Sequence, residues 1–265
     1  MKTERITSRK NPAVAEATKL CDRRFREERR EFFIEGIKLF CEAVGAGAQI
    51  KRVFVTDAAL EKYGDMIERS GCGCVYCVTD EVYEKLTVER APQGIFAVVG
   101  YFDAQKPADE NAFLLVLDGV ADPGNLGTII RCADAFGCGR VLIGDNGVDL
   151  YNPKTVRAAM GSLFRVRTER RAAAESVRML EDDGYAVYAA TLDKNSRDLR
   201  EVDVSGKVAF VIGNEGHGVS EDVAAACSGS VIIPMTPGAE SLNAAVAASV
   251  IMWEAARVRI NKWER

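Results

Sequence analysis

Residues 113–143 read FLLVLDGVADPGNLGTIIRCADAFGCGRVLI. The apolar run at 113–117 has no polar residue to mark a solvent face, so it predicts a strand buried on both sides. A loop of small and polar residues follows. Leu126, Ile129, Ile130, Ala133 and Phe136 then recur at helical spacing, and Gly137 ends that helix. Asn125 is read as the helix cap, because its side chain accepts from a free N–H there. Residues 141–143 form the next strand. A strand, a loop opening a helix and another strand predict a parallel unit with ligand loops at its carboxyl edge.

The same alternation continues to the end of the chain. Further strands are expected at 186–190, 208–212 and 231–233, and a last helix from about 242 to 257. Upstream, Asn11-Pro12 start a helix running to about Arg30, with Pro at its first position. Short apolar runs at 32–34, 53–55, 75–78 and 95–99 alternate with helical stretches near 37–44, 58–69 and 80–86. The chain is therefore read as α/β with a mostly parallel sheet in its second half and a smaller α/β domain before it. The polar stretch FDAQKPADENA, 102–112, separates them, giving expected domains 1–105 and 112–265.

Of the 265 residues, 48% are hydrophobic and 28% charged, ordinary for a soluble globular chain with a large core. No run approaches the ~18 apolar residues of a membrane span, and MKTERITSRK has no apolar signal core. The expected address is the cytoplasm, with the eight cysteines as reduced thiols. Net charge is −4, but the first thirty residues carry +5, which leaves −9 on the rest. A basic arm on an acidic body suits a polyanion, and Arg9, Lys10, Arg23, Arg24 and Arg26, with Arg29 and Arg30, are its candidate phosphate contacts. The plain alternative is a solvated helix face. The 165–171 cluster is a second basic patch. Cys72, Cys74 and Cys77 lack the fourth ligand of a structural zinc site, so no metal is expected.

Two later loops complete the set. Residues 210–220, FVIGNEGHGVS, follow a strand with three glycines in six residues, which matches neither a dinucleotide fingerprint nor a P-loop. Glu215 sits mid-turn, able to orient a hydroxyl or a base edge, and Ser220 is placed to cap the next helix. His217 is the only histidine and is not read as the base. Residues 232–243, IIPMTPGAESLN, end a strand and open an Ala-rich helix with Ser241 or Asn243 near its cap. Each loop alone reads as an ordinary turn.

Together, NLGTIIR at 125–131, IGNEGHGVS at 212–220 and IPMTPGAESLNAAVA at 233–247 resemble the three signature motifs of the SpoU (TrmH-like) RNA ribose methyltransferases, within the SPOUT superfamily. FIEGIKLFCEAV at 33–44 and APQGIFAVV at 91–99 resemble, more loosely, the RNA-binding domain often fused to that family. The resemblance implies a C-terminal trefoil knot, which breaks the usual rule against threaded loops. It implies S-adenosylmethionine as methyl donor, bound largely through backbone at Gly213, Ile233 and Leu242, and a homodimer formed through the second domain. It implies Arg131 as the residue acting on the ribose hydroxyl, with Asn125, Glu215, Ser241 and Asn243 around it. Arginine is a poor base, so Arg131 is read as holding a phosphate and stabilising the developing alkoxide. The proton then leaves to water, phosphate or Glu215. Ribosomal RNA is the favoured substrate. Transfer RNA, base methylation and a non-catalytic RNA-binding role remain open.

Overall fold

The computed structural model describes residues 3–102, 112–193, 195–238 and 240–259. The separating stretch expected at 102–112 lies almost wholly outside them. In chain order the first elements are β1 (Thr3–Ile6), α1 (Pro12–Lys19), α2 (Arg23–Arg29), β2 (Glu31–Glu35) and α3 (Ile37–Gly45). Next come β3 (Ile50–Thr56), α4 (Asp57–Arg69), β4 (Val75–Val78), α5 (Asp80–Leu86) and β5 (Ile95–Gly100). The second half opens with β6 (Leu114–Leu117), α6 (Pro123–Ala135), β7 (Arg140–Ile143), α7 (Pro153–Ala159) and β8 (Thr168–Arg170). It closes with α8 (Ala173–Asp182), β9 (Ala186–Ala190), β10 (Arg197–Asp198), β11 (Val208–Ile212), α9 (Glu221–Ala226), β12 (Gly229–Ile232) and α10 (Ala244–Arg257).

Contacts divide these elements into two compact units. The first takes Met1–Asp103 and also Tyr151–Phe164, the segment that carries α7. Its sheet has the order β1-β4-β3-β5-β2, parallel where β4 pairs with β1 and β3, antiparallel where β5 pairs with β3 and β2. Phe33, Phe54, Phe96 and Val98 form one face of its core with Leu20, Val82 and Leu86. On the other side of β2, Phe32 packs on Tyr151, and Tyr151 stacks on Tyr101 with ring centroids 4.0 Å apart.

The single helix expected from Asn11 to Arg30 is two. Asn11 caps the first, its side chain accepting from the Ala13 N–H. Asp22 starts the second by accepting from Phe25 N–H, a cap worth about 1 kcal/mol. Arg26 explains how the break survives in the interior. Its guanidinium donates to the Leu20 carbonyl at 2.6 Å and satisfies an acceptor orphaned by the end of α1. The residue is 1% exposed. Arg26 is therefore a buried structural group and not the phosphate contact expected of it.

The second unit holds a seven-stranded sheet ordered β10-β12-β9-β11-β6-β7-β8. Every pairing in it among the described residues is parallel. The central strands β6 and β11 are buried at every position, which accounts for their unbroken apolar runs. Val116, Leu142, Val177, Val187 and Val211 fill one face. The helices α6 and α10 pack together. Because the strands are parallel, the loops after β6, β9, β11 and β12 open on one edge. No helix among the described residues is long and apolar enough to cross a membrane.

Candidate active site at the carboxyl edge of the parallel sheet

The first loop is shaped by Asp122. Its carboxylate accepts from the Asn125 N–H at 2.9 Å, and Pro123 follows at the first helical position. Asp122, not Asn125, is the cap. A proline that needs no N–H partner and a carboxylate before it start α6 three residues earlier than the apolar pattern alone marks. The consequence is chemical, because the Asn125 side chain is left free to reach across loops.

It reaches both ways. Asn125 Nδ2 donates to Glu215 Oε1 at 2.8 Å, and Asn125 Oδ1 accepts from Asn243 Nδ2 at 3.0 Å. Asn243 also caps α10, its Oδ1 accepting from the N–H groups of Ala245 and Val246. Glu215 accepts two further bonds, from the backbone N–H groups of Ala121 and Asp122 at 3.0 and 3.1 Å. One hydrogen-bonded chain thus joins all three loops. Desolvation opposes ionisation of Glu215, but the bonds from Asn125, Ala121 and Asp122 outweigh it and hold its carboxyl below the usual range.

Two further ties escaped the sequence reading. Asp118 Oδ2 accepts from both the N–H and the hydroxyl of Ser220, each at 2.7 Å. Ser220 holds the cap position of α9, yet its hydroxyl serves Asp118 and not the helix. Asn214 donates to the Gly119 carbonyl and accepts from the N–H groups of Gly216 and His217. No local pattern links positions 102 residues apart; only the adjacency of β6 and β11 does. Gly213 has a steric reason to be glycine. A Cβ there would lie 2.0 Å from the Gly218 carbonyl carbon and 2.2 Å from the Val219 nitrogen.

Between the loops after β9, β11 and β12 lies a cavity of about 520 Å³. That is within the usual range for small-molecule sites. All three residues expected to hold a cofactor, Gly213, Ile233 and Leu242, line it, as do Glu215 and Ser241. Leu192, after β9, lines it too and had no signal in the sequence. Among the described residues the lining holds two carboxylates, Glu215 and Glu240, and no lysine or arginine.

Arg131 stands apart from this network. It is exposed on α6 and has no ion pair or hydrogen bond among the described residues. Asp134, three residues along the same helix, is engaged by Arg165 at 2.8 Å. Among the arm cations Arg9, Lys10, Arg23 and Arg24 are exposed. Arg23 pairs with Glu27, and Arg29 with Glu16. Cys77 donates to Asp57 and Cys72 to the Cys74 carbonyl, and no cluster able to hold a metal ion occurs among the described residues.

Comparison with known proteins agrees with this geometry. Residues 112–253 match the SpoU rRNA Methylase family, and residues 11–97 match the MRM3-like substrate binding domain. The chain is 35% identical, over 94% of its length and 98% of the relative's, to the Bacillus subtilis protein named 23S rRNA (guanosine(2553)-2'-O)-methyltransferase RlmP. A crystal structure of an AdoMet-bound rRNA methyltransferase from Sinorhizobium meliloti superposes with TM-score 0.87 at 31% identity, covering 97% of this chain and 98% of that one. The AdoMet complex of the SpoU methyltransferase AviRb from Streptomyces viridochromogenes superposes with TM-score 0.85 at 28% identity, covering 95% and 99%.

Proposed function

The chain belongs to the SpoU rRNA methylase family, and from that premise we propose that it methylates ribosomal RNA on a ribose 2′-hydroxyl with S-adenosylmethionine as donor. The observation that carries this reading is the hydrogen-bonded chain Asn243–Asn125–Glu215 beside the cavity. It locks three loops from distant parts of the sequence into one site. The cavity fits the donor on its chemistry: apolar walls, glycine backbone, two carboxylates and no lysine or arginine among the described lining residues suit a sulfonium and oppose a pyrophosphate. Gly213, Ile233 and Leu242 would hold it, and when bound it supplies an electrophilic methyl group.

The side chains divide the remaining work. Arg131, unengaged and carrying a planar fork of donors, holds a substrate phosphate and stabilises the alkoxide forming on the 2′-oxygen. Glu215 is a poor proton acceptor, because three donors hold it and favour its ionised form. The proton leaves to phosphate or water. Asn125, Glu215 and Asn243 fix the loops around the ribose, and Ser241 sits at the cavity wall beside them.

Residues 1–105 serve as the RNA-holding domain and residues 112–265 as the transferase. The match to a substrate binding domain and the exposed Arg9, Lys10, Arg23 and Arg24 support that division. A trefoil knot is part of the same reading, supported by the late strands β11 and β12, which enter between strands formed earlier. So is a homodimer. Val246, Val250 and Trp253 leave an exposed apolar stripe along α10, 37–49% accessible, of the kind a second copy covers. A cytoplasmic address, where ribosomal RNA is made and assembled, completes it.

The test is incubation with labelled S-adenosylmethionine and separate pools of unmodified ribosomal and transfer RNA, with label mapped to nucleotide and atom. Label on a ribosomal 2′-oxygen is expected. Label on a base, or only on transfer RNA, would overturn the corresponding part of the reading. Failure to bind the donor would leave only an RNA-binding role.

A further inference from the structure

The cavity holds two carboxylates whose situations differ. Glu215 accepts three hydrogen bonds within the protein, from Asn125, Ala121 and Asp122. Glu240 lines the same cavity, is exposed, and has no hydrogen bond or ion pair among the described residues. It therefore remains available to a ligand. Its place in the chain says which part of the ligand it faces. Glu240 precedes Ser241, and two residues further Asn243 ties this loop to Asn125. Asn125 lies in the first turn of α6, the helix that carries Arg131, so this loop borders the end of the cavity where an acceptor oxygen would meet the methyl group. The transferable methyl is carried on the sulfonium, so the positive charge lies at this end.

We propose that Glu240 is a cofactor-binding residue that pairs with the sulfonium charge, so that the cavity holds the charged donor more tightly than the neutral thioether product. The proposal rests on the cofactor reading above and deepens it. Methyl transfer to a ribose oxygen that has lost its proton converts the sulfonium into a neutral thioether. The donor loses one positive charge, and the attraction to Glu240 goes with it. A carboxylate there favours exchange of spent product for fresh donor. It does not speed the chemical step, because its attraction is strongest in the ground state and fades as charge is cancelled. Glu240 is thus a residue of ligand discrimination, and its kinetic signature lies in KM.

The experiment is calorimetric titration of wild-type protein and Glu240→Gln with S-adenosylmethionine and, separately, S-adenosylhomocysteine, at low and high salt. For an exposed pair the expected loss is on the order of 2- to 5-fold in donor affinity. Product affinity is unchanged, and the difference between the two proteins shrinks as salt rises. In turnover, KM for the donor rises by about the same factor and kcat does not fall. Equal losses for both ligands would assign Glu240 to a part they share, such as the amino group, and overturn the proposal. So would no loss for either. If wild-type protein binds neither ligand, the cofactor reading itself falls and the proposal falls with it. Retained product binding by the variant shows that it is folded.

Discussion

The N-terminal arm and the carboxyl edge of the parallel sheet are both dense in polar side chains, but the fold uses them differently. In the arm, the most basic stretch of the chain, some cations serve the fold: Arg26 completes the end of α1, and Arg29 meets Glu16, which Arg52 of β3 also holds, while Arg9, Lys10 and Arg24 stay exposed. At the sheet edge the polar groups satisfy one another through Asn125, Asn243, Glu215, Asp118 and Ser220, leaving Arg131 and Glu240 unengaged. Charge density alone is therefore a poor guide to function. The groups free to act on a ligand are those left over once the fold's own hydrogen bonds are complete.

That contrast is sharpest at two arginines. Arg131→Ala should lower kcat about 10²- to 10³-fold, the usual consequence of losing a donor that stabilises developing charge. Its thermal midpoint should stay at the wild-type value, because the side chain holds nothing in the protein. Arg131→Lys tests the planar fork: recovery of near-normal turnover would show that only charge is needed. Arg26→Ala should do the reverse. It leaves the Leu20 carbonyl without its partner in the interior, costing about 1–3 kcal/mol, visible as a lowered midpoint in denaturant. RNA affinity of the folded variant, and its dependence on salt, should not change. Arg24→Ala, at an exposed position, should instead flatten the salt dependence. A shallower slope for Arg26→Ala would mean that the buried guanidinium swings out to bind phosphate.

A smaller effect separates clamp from base at Glu215. Its folded-state carboxyl titrates below the ordinary range, so the stability it contributes is complete above the unfolded value near 4.3. That contribution is lost as pH falls through the lower folded value. Wild-type protein should melt above Glu215→Gln at neutral pH, with the gap closing in acid. A gap that persists in acid would show that the ionised form is not what holds the loops. Loss of turnover in Glu215→Gln should follow the loss of loop order and leave the alkaline side of the pH–rate profile unmoved, unlike removal of a proton acceptor.

Much of this was readable before any tertiary structure. Apolar runs without alternation located β6 and β11, since a strand buried on both faces has no reason to alternate. Helical spacing located α6 and α10. The three loops, each an ordinary turn by itself, declared themselves through their joint resemblance to the SpoU signature motifs and their order along the chain. Short or polar elements left no such pattern: β1, β8 and β10 were not foreseen, and α7 was missed although Asn152-Pro153 starts it as Asn11-Pro12 starts α1. Nor could periodicity show that α1 and α2 are separate, because Arg26, a residue ordinarily at home in water, is what completes the break. The amino-acid sequence by itself determined the fold class, the three loops and most of the residues around the cavity. Only the tertiary structure decided which of those residues are already committed. Strand order sets Asp118 beside Ser220 and Asn125 between Glu215 and Asn243, and hydrogen-bond partners far apart in the chain are chosen by that adjacency and by nothing local.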